Sequence, residues 1–250
     1  MKLLKKNLVF YKQNGYIKIT NFFSHTEVKV LKNFVDKVSF LKPKKGQQMI
    51  YYDKIKNFSL LTRTENFLKY DKKFRNFFIK KKLNNLVDQI LGKKSILFKD
   101  KINWKYPKAD GFKPHQDAQV WDFLYPKIKS FISLAITVDA TNAKNGCLEV
   151  VSKMHKKGLL GDNKSAINKK ISQKMLWEKI ITKPGDLIFF DSYTPHRSGK
   201  NLSKLPRKVV YLTYNAKKDG NLKEKYFTDK RVSFPPNNER IKGKKYKYLI

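Results

Sequence analysis

The sequence predicts a mainly β protein with a helical N-terminal part: a double-stranded β-helix core, jelly-roll or cupin-like, flanked by helices. Three observations carry this. From about residue 97, short apolar runs rich in branched and aromatic residues recur with turn chemistry between them. No helical pattern intervenes between those runs, which favours an antiparallel double sheet over a parallel one. Before residue 95 the apolar residues mostly recur at helical spacing.

Taken in order, GYIKITNFF (15–23) reads as a short strand. Ser24 and Glu27 then form a capping box, with Phe23 and Val28 placed to pack as a hydrophobic staple. Val28, Leu31, Phe34, Val35 and Val38 continue a helical stripe, and a second helical block runs from about Asn66 to Leu91, stopped by Gly92. The expected strands follow: ILFKDKINWKY (96–106), SFISLAITVDA (130–140), GCLEVVS (146–152), WEKIITK (177–183), DLIFFDS (186–192) and RKVVYLTYN (207–215). Residues 153–176 form a longer polar connection, and the tail from 216, basic and carrying PPNN at 235–238, is expected to be irregular. The whole reads as one domain: mostly helical support over 1–95, a jelly-roll core over 96–215 and a basic C-terminal tail over 216–250.

Composition narrows the function classes. With 40% hydrophobic and 14% aromatic residues, the 250-residue chain can bury a sizeable core. A formal charge of +36 invites a nucleic-acid reading. Only six of the 56 basic residues are Arg, however, and the lysines are spread along the chain, as an AT-rich genome would produce. No specific nucleic-acid partner is expected. Cys147 is the sole cysteine, which excludes a disulfide framework or a thiolate metal cluster. The N-terminal apolar run is broken by Lys and Asn, unlike a signal peptide, and no stretch approaches the roughly 20 apolar residues of a membrane span. A cytoplasmic protein acting on a small molecule, away from membranes, is the expectation; the oligomeric state is left open.

Chemistry enters with PHQDAQVWDF (114–123). On a strand, His115 and Asp117 would share a face and converge on one point. A third ligand is needed. His25 opens a helix and His155 lies in a Lys-dense loop, whereas His196 follows the strand DLIFFDS in YTPHRSGKN, a position where functional groups collect. Two His and one carboxylate make the facial triad of non-haem iron(II) oxygenases, and zinc hydrolysis is a rival use of the same set. Arg207 lies eleven residues beyond His196, at the start of a strand. A guanidinium holds a carboxylate through two parallel hydrogen bonds that Lys cannot copy, so Arg207 suits the distal carboxylate of a diacid such as 2-oxoglutarate.

HQD at 115–117, NGCLEV at 145–150, PGDLIFFDS at 184–192, PHRSGKN at 195–201 and PRKVVYLTYN at 206–215, with GYIKITNFFS at 15–24, resemble the phytanoyl-CoA dioxygenase family. The resemblance implies a hydroxylase that uses Fe(II), 2-oxoglutarate and O2 and releases succinate and CO2. It implies that His115, Asp117 and His196 bind iron and that Arg207 and Ser198 hold the 2-oxoglutarate carboxylate. Gln116, Asn103 and Ser133 fall where relatives add co-substrate contacts. SKMHKKG (152–158) departs from the family's usual turn without touching a ligand. The ending YFTDKRVSFPPNNER (226–240) is similar to the branch acting on small polar metabolites such as 2-aminoethylphosphonate. Such a substrate implies cationic partners, for which Lys105, Lys230 and Arg231 are candidates, with Gln119, Trp121 and Asp122 near the metal. Acyl-CoA and nucleic acid are the alternative substrate classes.

Overall fold

The computed structural model describes residues 2–55, 58–79, 81–128 and 130–246. Among the described residues, ten strands form two antiparallel sheets. They are β1 (Tyr16–Ile19), β2 (Met49–Ile55), β3 (Phe58–Glu65), β4 (Ser95–Lys105), β5 (Phe131–Thr137), β6 (Leu148–Val150), β7 (Glu178–Ile180), β8 (Leu187–Asp191), β9 (His196–Ser198) and β10 (Arg207–Ala216). The major sheet runs β1-β8-β5-β10-β4-β3-β2 and the minor sheet β7-β6-β9. This is the jelly-roll arrangement expected, with helices α1 (Lys5–Asn14), α2 (His25–Ser39), α3 (Lys72–Phe78) and α4 (Lys81–Leu91) laid against it and two short helices, α5 (Ala118–Leu124) and α6 (Lys169–Ser172), in the connections between strands.

Strand alternation separates structure from site. On β10, Val210, Leu212 and Tyr214 face the helix-covered core together with Leu31, Val35 and Leu86. Val209 faces the opposite sheet beside Leu148 and Val150, while Tyr211 and Thr213 line the cavity between the sheets. The same period governs β4, where Ile102 and Trp104 point to the helices and Lys99, Lys101 and Asn103 to the cavity.

The capping box at α2 forms as expected, Ser24 accepting from the Glu27 N–H and Glu27 from the Ser24 N–H. Three expectations are corrected. The region 49–65 is a β-hairpin rather than helical support: MIYYDKI pairs with FSLLTRTE and extends the major sheet, Arg63, Thr64 and Glu65 pairing with Asn103, Ile102 and Lys101. The block from Asn66 to Leu91 divides into α3 and α4. The tail is not irregular either, because Lys223–Ser233 forms a helix, α7, whose Tyr226 and Phe227 pack on Phe98, Met49 and Tyr51.

Buried charge, not apolar area alone, fixes α7. Lys230 Nζ donates to both oxygens of Glu65 (2.8 and 2.6 Å), Arg63 Nε lies 2.9 Å from the same carboxylate, and Lys223 Nζ reaches Asp100 Oδ1 at 2.5 Å. Burial alone would raise the Glu65 pKa; Lys230, Arg63 and Lys99 outweigh it and hold the group at about 2. A folded pKa below the ordinary 4.5 means that the ionised pair adds stability above pH 4.5 and loses it as pH falls through about 2. Lys230→Met is expected to cost about 3 kcal/mol, since it leaves a buried carboxylate short of a partner. Urea unfolding followed from pH 7 to pH 2 measures this, and the difference between variant and wild type should shrink towards pH 2.

Candidate active site

The minor sheet ends in an extra rung. His115 N–H donates to the His196 carbonyl (3.0 Å) and His196 N–H to the His115 carbonyl (2.8 Å), so two imidazoles from distant segments meet with ring centroids 4.1 Å apart. Each Nδ1 sits against a main-chain carbonyl, Lys113 O at 2.7 Å and Thr194 O at 3.0 Å. A carbonyl only accepts, so each Nδ1 carries the proton and each Nε2 keeps its lone pair free for a ligand. Burial, then the neighbouring His196, drives the His115 pKa down to about 3, and burial lowers that of His196. Both rings are therefore neutral, as ligation requires.

Asp117 completes the cluster from a different element than a strand: it precedes α5 (Ala118–Leu124), with helical φ and ψ. Its carboxylate accepts a hydrogen bond from Ser133 Oγ at 2.9 Å. Burial would raise its pKa, but His196, His115, Lys99 and Lys101 prevail and keep it ionised. The candidate ligand atoms of His115, Asp117 and His196 all lie within 4.8 Å of one another. Two neutral nitrogens and one anionic oxygen, with a cavity on the open side, fit a ferrous ion that keeps further positions for exchangeable ligands. Ser133→Ala leaves this geometry one supporting bond short and is expected to weaken metal affinity about 10- to 100-fold, measurable by metal titration.

The cluster opens on a cavity of about 290 Å³. Ser198 lies on its wall, and Lys105 Nζ donates to Ser198 Oγ (2.8 Å) and to Gly199 O (2.6 Å). Lys105 and Arg207 are register partners on β4 and β10, and both are buried. Burial, then Arg207, pushes the Lys105 pKa down to about 7. The Arg207 guanidinium donates to the Asn145 and Gly146 carbonyls and to Tyr211, which carries it to the cavity wall. Gly146 adopts a φ of +69°, and a Cβ there would sit 2.2 Å from Gly199 O. The close backbone approach beside this cationic end thus requires glycine.

The structure brings His115, Asp117, His196, Asn103, Ser133, Ser198 and Trp121 onto one cavity and joins Arg207 to Tyr211 on its wall. Other sequence-derived positions are corrected. Gln116 turns away from the cavity; its amide donates to Gly158 O and Tyr193 O and accepts from Leu160 N–H. Gln119 likewise bonds Asp162 O and the Gln116 N–H, so both glutamines brace the 158–162 loop. Asp122 takes the Tyr193 hydroxyl, and Arg231 pairs with Glu239 and Gln47 O, clamping the tail. Lys105 stands beside Arg207 and Ser198, and Ser133, on the cavity wall, donates to Asp117. Sequence reasoning missed Lys99, Lys101, Tyr211 and Thr213 on the cavity wall. The signal was present in KDKINWK: Lys99, Lys101, Asn103 and Lys105 at every second position of a strand whose other face carries Ile102 and Trp104.

Fold and cluster define the class: an iron(II)- and 2-oxoglutarate-dependent dioxygenase. The family model described as Phytanoyl-CoA dioxygenase (PhyH) matches residues 11–209, and the chain belongs to that family. It is 36% identical to a methylphosphonate hydroxylase of Gimesia maris over 90% of this chain and 85% of that one. It is 34% identical to a 2-aminoethylphosphonate dioxygenase of an uncultured bacterium over 94% and 90%. Among solved structures, that of EctD from S. alaskensis with 2-oxoglutarate and 5-hydroxyectoine superimposes with a TM-score of 0.74 at 17% identity, covering 87% of this chain and 77% of that one.

Proposed function

We propose that this enzyme hydroxylates an unactivated C–H bond of a small phosphonate, coupled to conversion of 2-oxoglutarate and O2 to succinate and CO2. Two relatives matched over at least 85% of their length act, by their names, on phosphonates, and they support the substrate class. The observation that carries the chemistry is the convergence of His115, Asp117 and His196 on the wall of a cavity that Lys99, Lys101 and Ser198 also line.

Each residue then has a task. His115 and His196 offer Nε2 and Asp117 a carboxylate oxygen to iron, with the carbonyls of Lys113 and Thr194 fixing the tautomers and Ser133 the carboxylate. Arg207, Lys105 and Ser198 receive the distal carboxylate of 2-oxoglutarate, because this group of donors is buried and faces no acidic side chain within ion-pair distance among the described residues. Iron and 2-oxoglutarate, when bound, supply the oxidising power for breaking a C–H bond. The protein positions the substrate and keeps water out: Trp121, Phe112, Phe190 and Tyr226 form the apolar part of the wall.

The test is direct. Purified protein supplied with Fe(II), ascorbate and 2-oxoglutarate should release succinate in proportion to added 2-aminoethylphosphonate or methylphosphonate, with a product 16 mass units heavier, the mass of one oxygen atom (~16 Da). Succinate release driven instead by a CoA thioester or an oligonucleotide would overturn the phosphonate reading.

A further inference from the structure

Along β4, four polar side chains alternate with the core-facing residues: Lys99, Lys101, Asn103 and Lys105. The Lys105 end adjoins Ser198 and Arg207. The Lys99–Lys101 end adjoins the metal cluster. Lys99 is the register partner of Thr213, whose Oγ1 lies 3.2 Å from Ser133 Oγ, and that hydroxyl holds Asp117. The two ammonium groups thus stand beside the three candidate ligands, on the adjoining cavity wall.

Neither ammonium group is in a direct ion pair, although Glu65 and Asp117 act on both from further away. Among the described residues, no carboxylate lies within ion-pair distance of Lys99 or Lys101 and no acceptor is hydrogen-bonded to either. Their neighbours are ring faces: Lys99 Nζ is 5.8 Å from the Trp121 centroid and 5.5 Å from Tyr226, while Lys101 Nζ is 5.5 Å from Phe112 and 5.1 Å from Tyr211. Lys223 and Lys230, the other cations buried nearby, each have a carboxylate. Two adjacent cations held out of water against aromatic rings raise the free energy of the empty site, and an arriving dianion relieves it.

We propose that Lys99 and Lys101 grip the phosphonate group between them and make the enzyme select dianionic phosphonates over monoanionic sulfonates and carboxylates of the same shape. The proposal rests on the phosphonate reading above and adds to it the residues that enforce it. A phosphonate is near its second ionisation at neutral pH, so two ammonium groups match the full charge of its dianion, whereas one sulfonate leaves a buried cation unpaired. The site then divides along one strand, with the co-substrate carboxylate at Lys105 and the substrate anion at Lys99 and Lys101.

The experiment compares wild type with Lys99→Met and Lys101→Met, which retain side-chain length without charge. Each variant should raise KM for methylphosphonate and 2-aminoethylphosphonate about 10- to 100-fold, the range for losing one charge-assisted hydrogen bond. The KM for 2-oxoglutarate and the visible absorption of the Fe(II)–2-oxoglutarate complex should stay as in wild type. The preference for methylphosphonate over methanesulfonate should collapse in both variants. Lysine acylation of wild type, mapped by mass spectrometry, needs no variant: methylphosphonate should protect Lys99 and Lys101, and 2-oxoglutarate should protect Lys105. Wild-type phosphonate KM in both variants, or unprotected Lys99 and Lys101, overturns the lysine assignment and leaves the phosphonate reading standing. A wild type that forms the Fe(II)–2-oxoglutarate absorption yet neither binds nor oxidises any phosphonate overturns both.

Discussion

His196→Ala is expected to reduce succinate formation to background while the protein stays folded. The imidazole supplies one of three candidate ligand atoms gathered within 4.8 Å, and alanine offers none. The rung that joins His196 to His115 is made entirely by main-chain groups, so the substitution leaves the two backbone hydrogen bonds in place. Far-UV circular dichroism should therefore match wild type, and the thermal midpoint should move little beyond the loss of one buried ring. Iron content after gel filtration is the decisive reading, and it should fall from one ion per chain towards none. A variant that still retains stoichiometric iron and turns over at a comparable rate would remove His196 from the metal site.

Arg207→Lys should raise the 2-oxoglutarate KM by roughly 10- to 150-fold, the equivalent of about 1.5–3 kcal/mol for one lost charge-assisted hydrogen bond at 1.36 kcal/mol per tenfold. Charge is conserved in this change; geometry is not. The guanidinium spans the Asn145 and Gly146 carbonyls and Tyr211, and an ammonium cannot serve all of these directions and a carboxylate at once. Lys105 beside it already crowds positive charge into the same volume, so a second ammonium gains nothing in attraction. Steady-state kinetics with 2-oxoglutarate as the varied component measures the effect, and the phosphonate KM should change far less. Equal KM values for 2-oxoglutarate in variant and wild type would remove Arg207 from the co-substrate site.

Much of this site is visible in one dimension because its chemistry demands rare residue types. Four histidines are few enough to be weighed singly, and an arginine stands out in a chain that places lysine at most basic positions. The strands of the core announce themselves through branched and aromatic runs broken by turn sequences. What escapes is whatever depends on partners distant in sequence. The hairpin at 49–65 is specified by pairing with β4 rather than by its own pattern, and its charged residues Arg63 and Glu65 face a helix some 165 positions further on. That helix, α7, carries six charged residues in eleven, so an amphipathic pattern is faint; buried ion pairs supply what apolar periodicity does not. Gln116 illustrates the opposite error. Lying between two candidate ligands, it nonetheless turns its amide to the carbonyls of Gly158 and Tyr193, where it secures a loop.

The rung between His115 and His196 has a consequence for the life of the enzyme. Because the sheet, not the ion, brings the two rings together, the apoprotein should hold its shape when iron is stripped by oxidation or by a chelator. Damage to the ferrous centre is then a reversible event: the emptied barrel can be refilled and returned to service without passing through the unfolded chain.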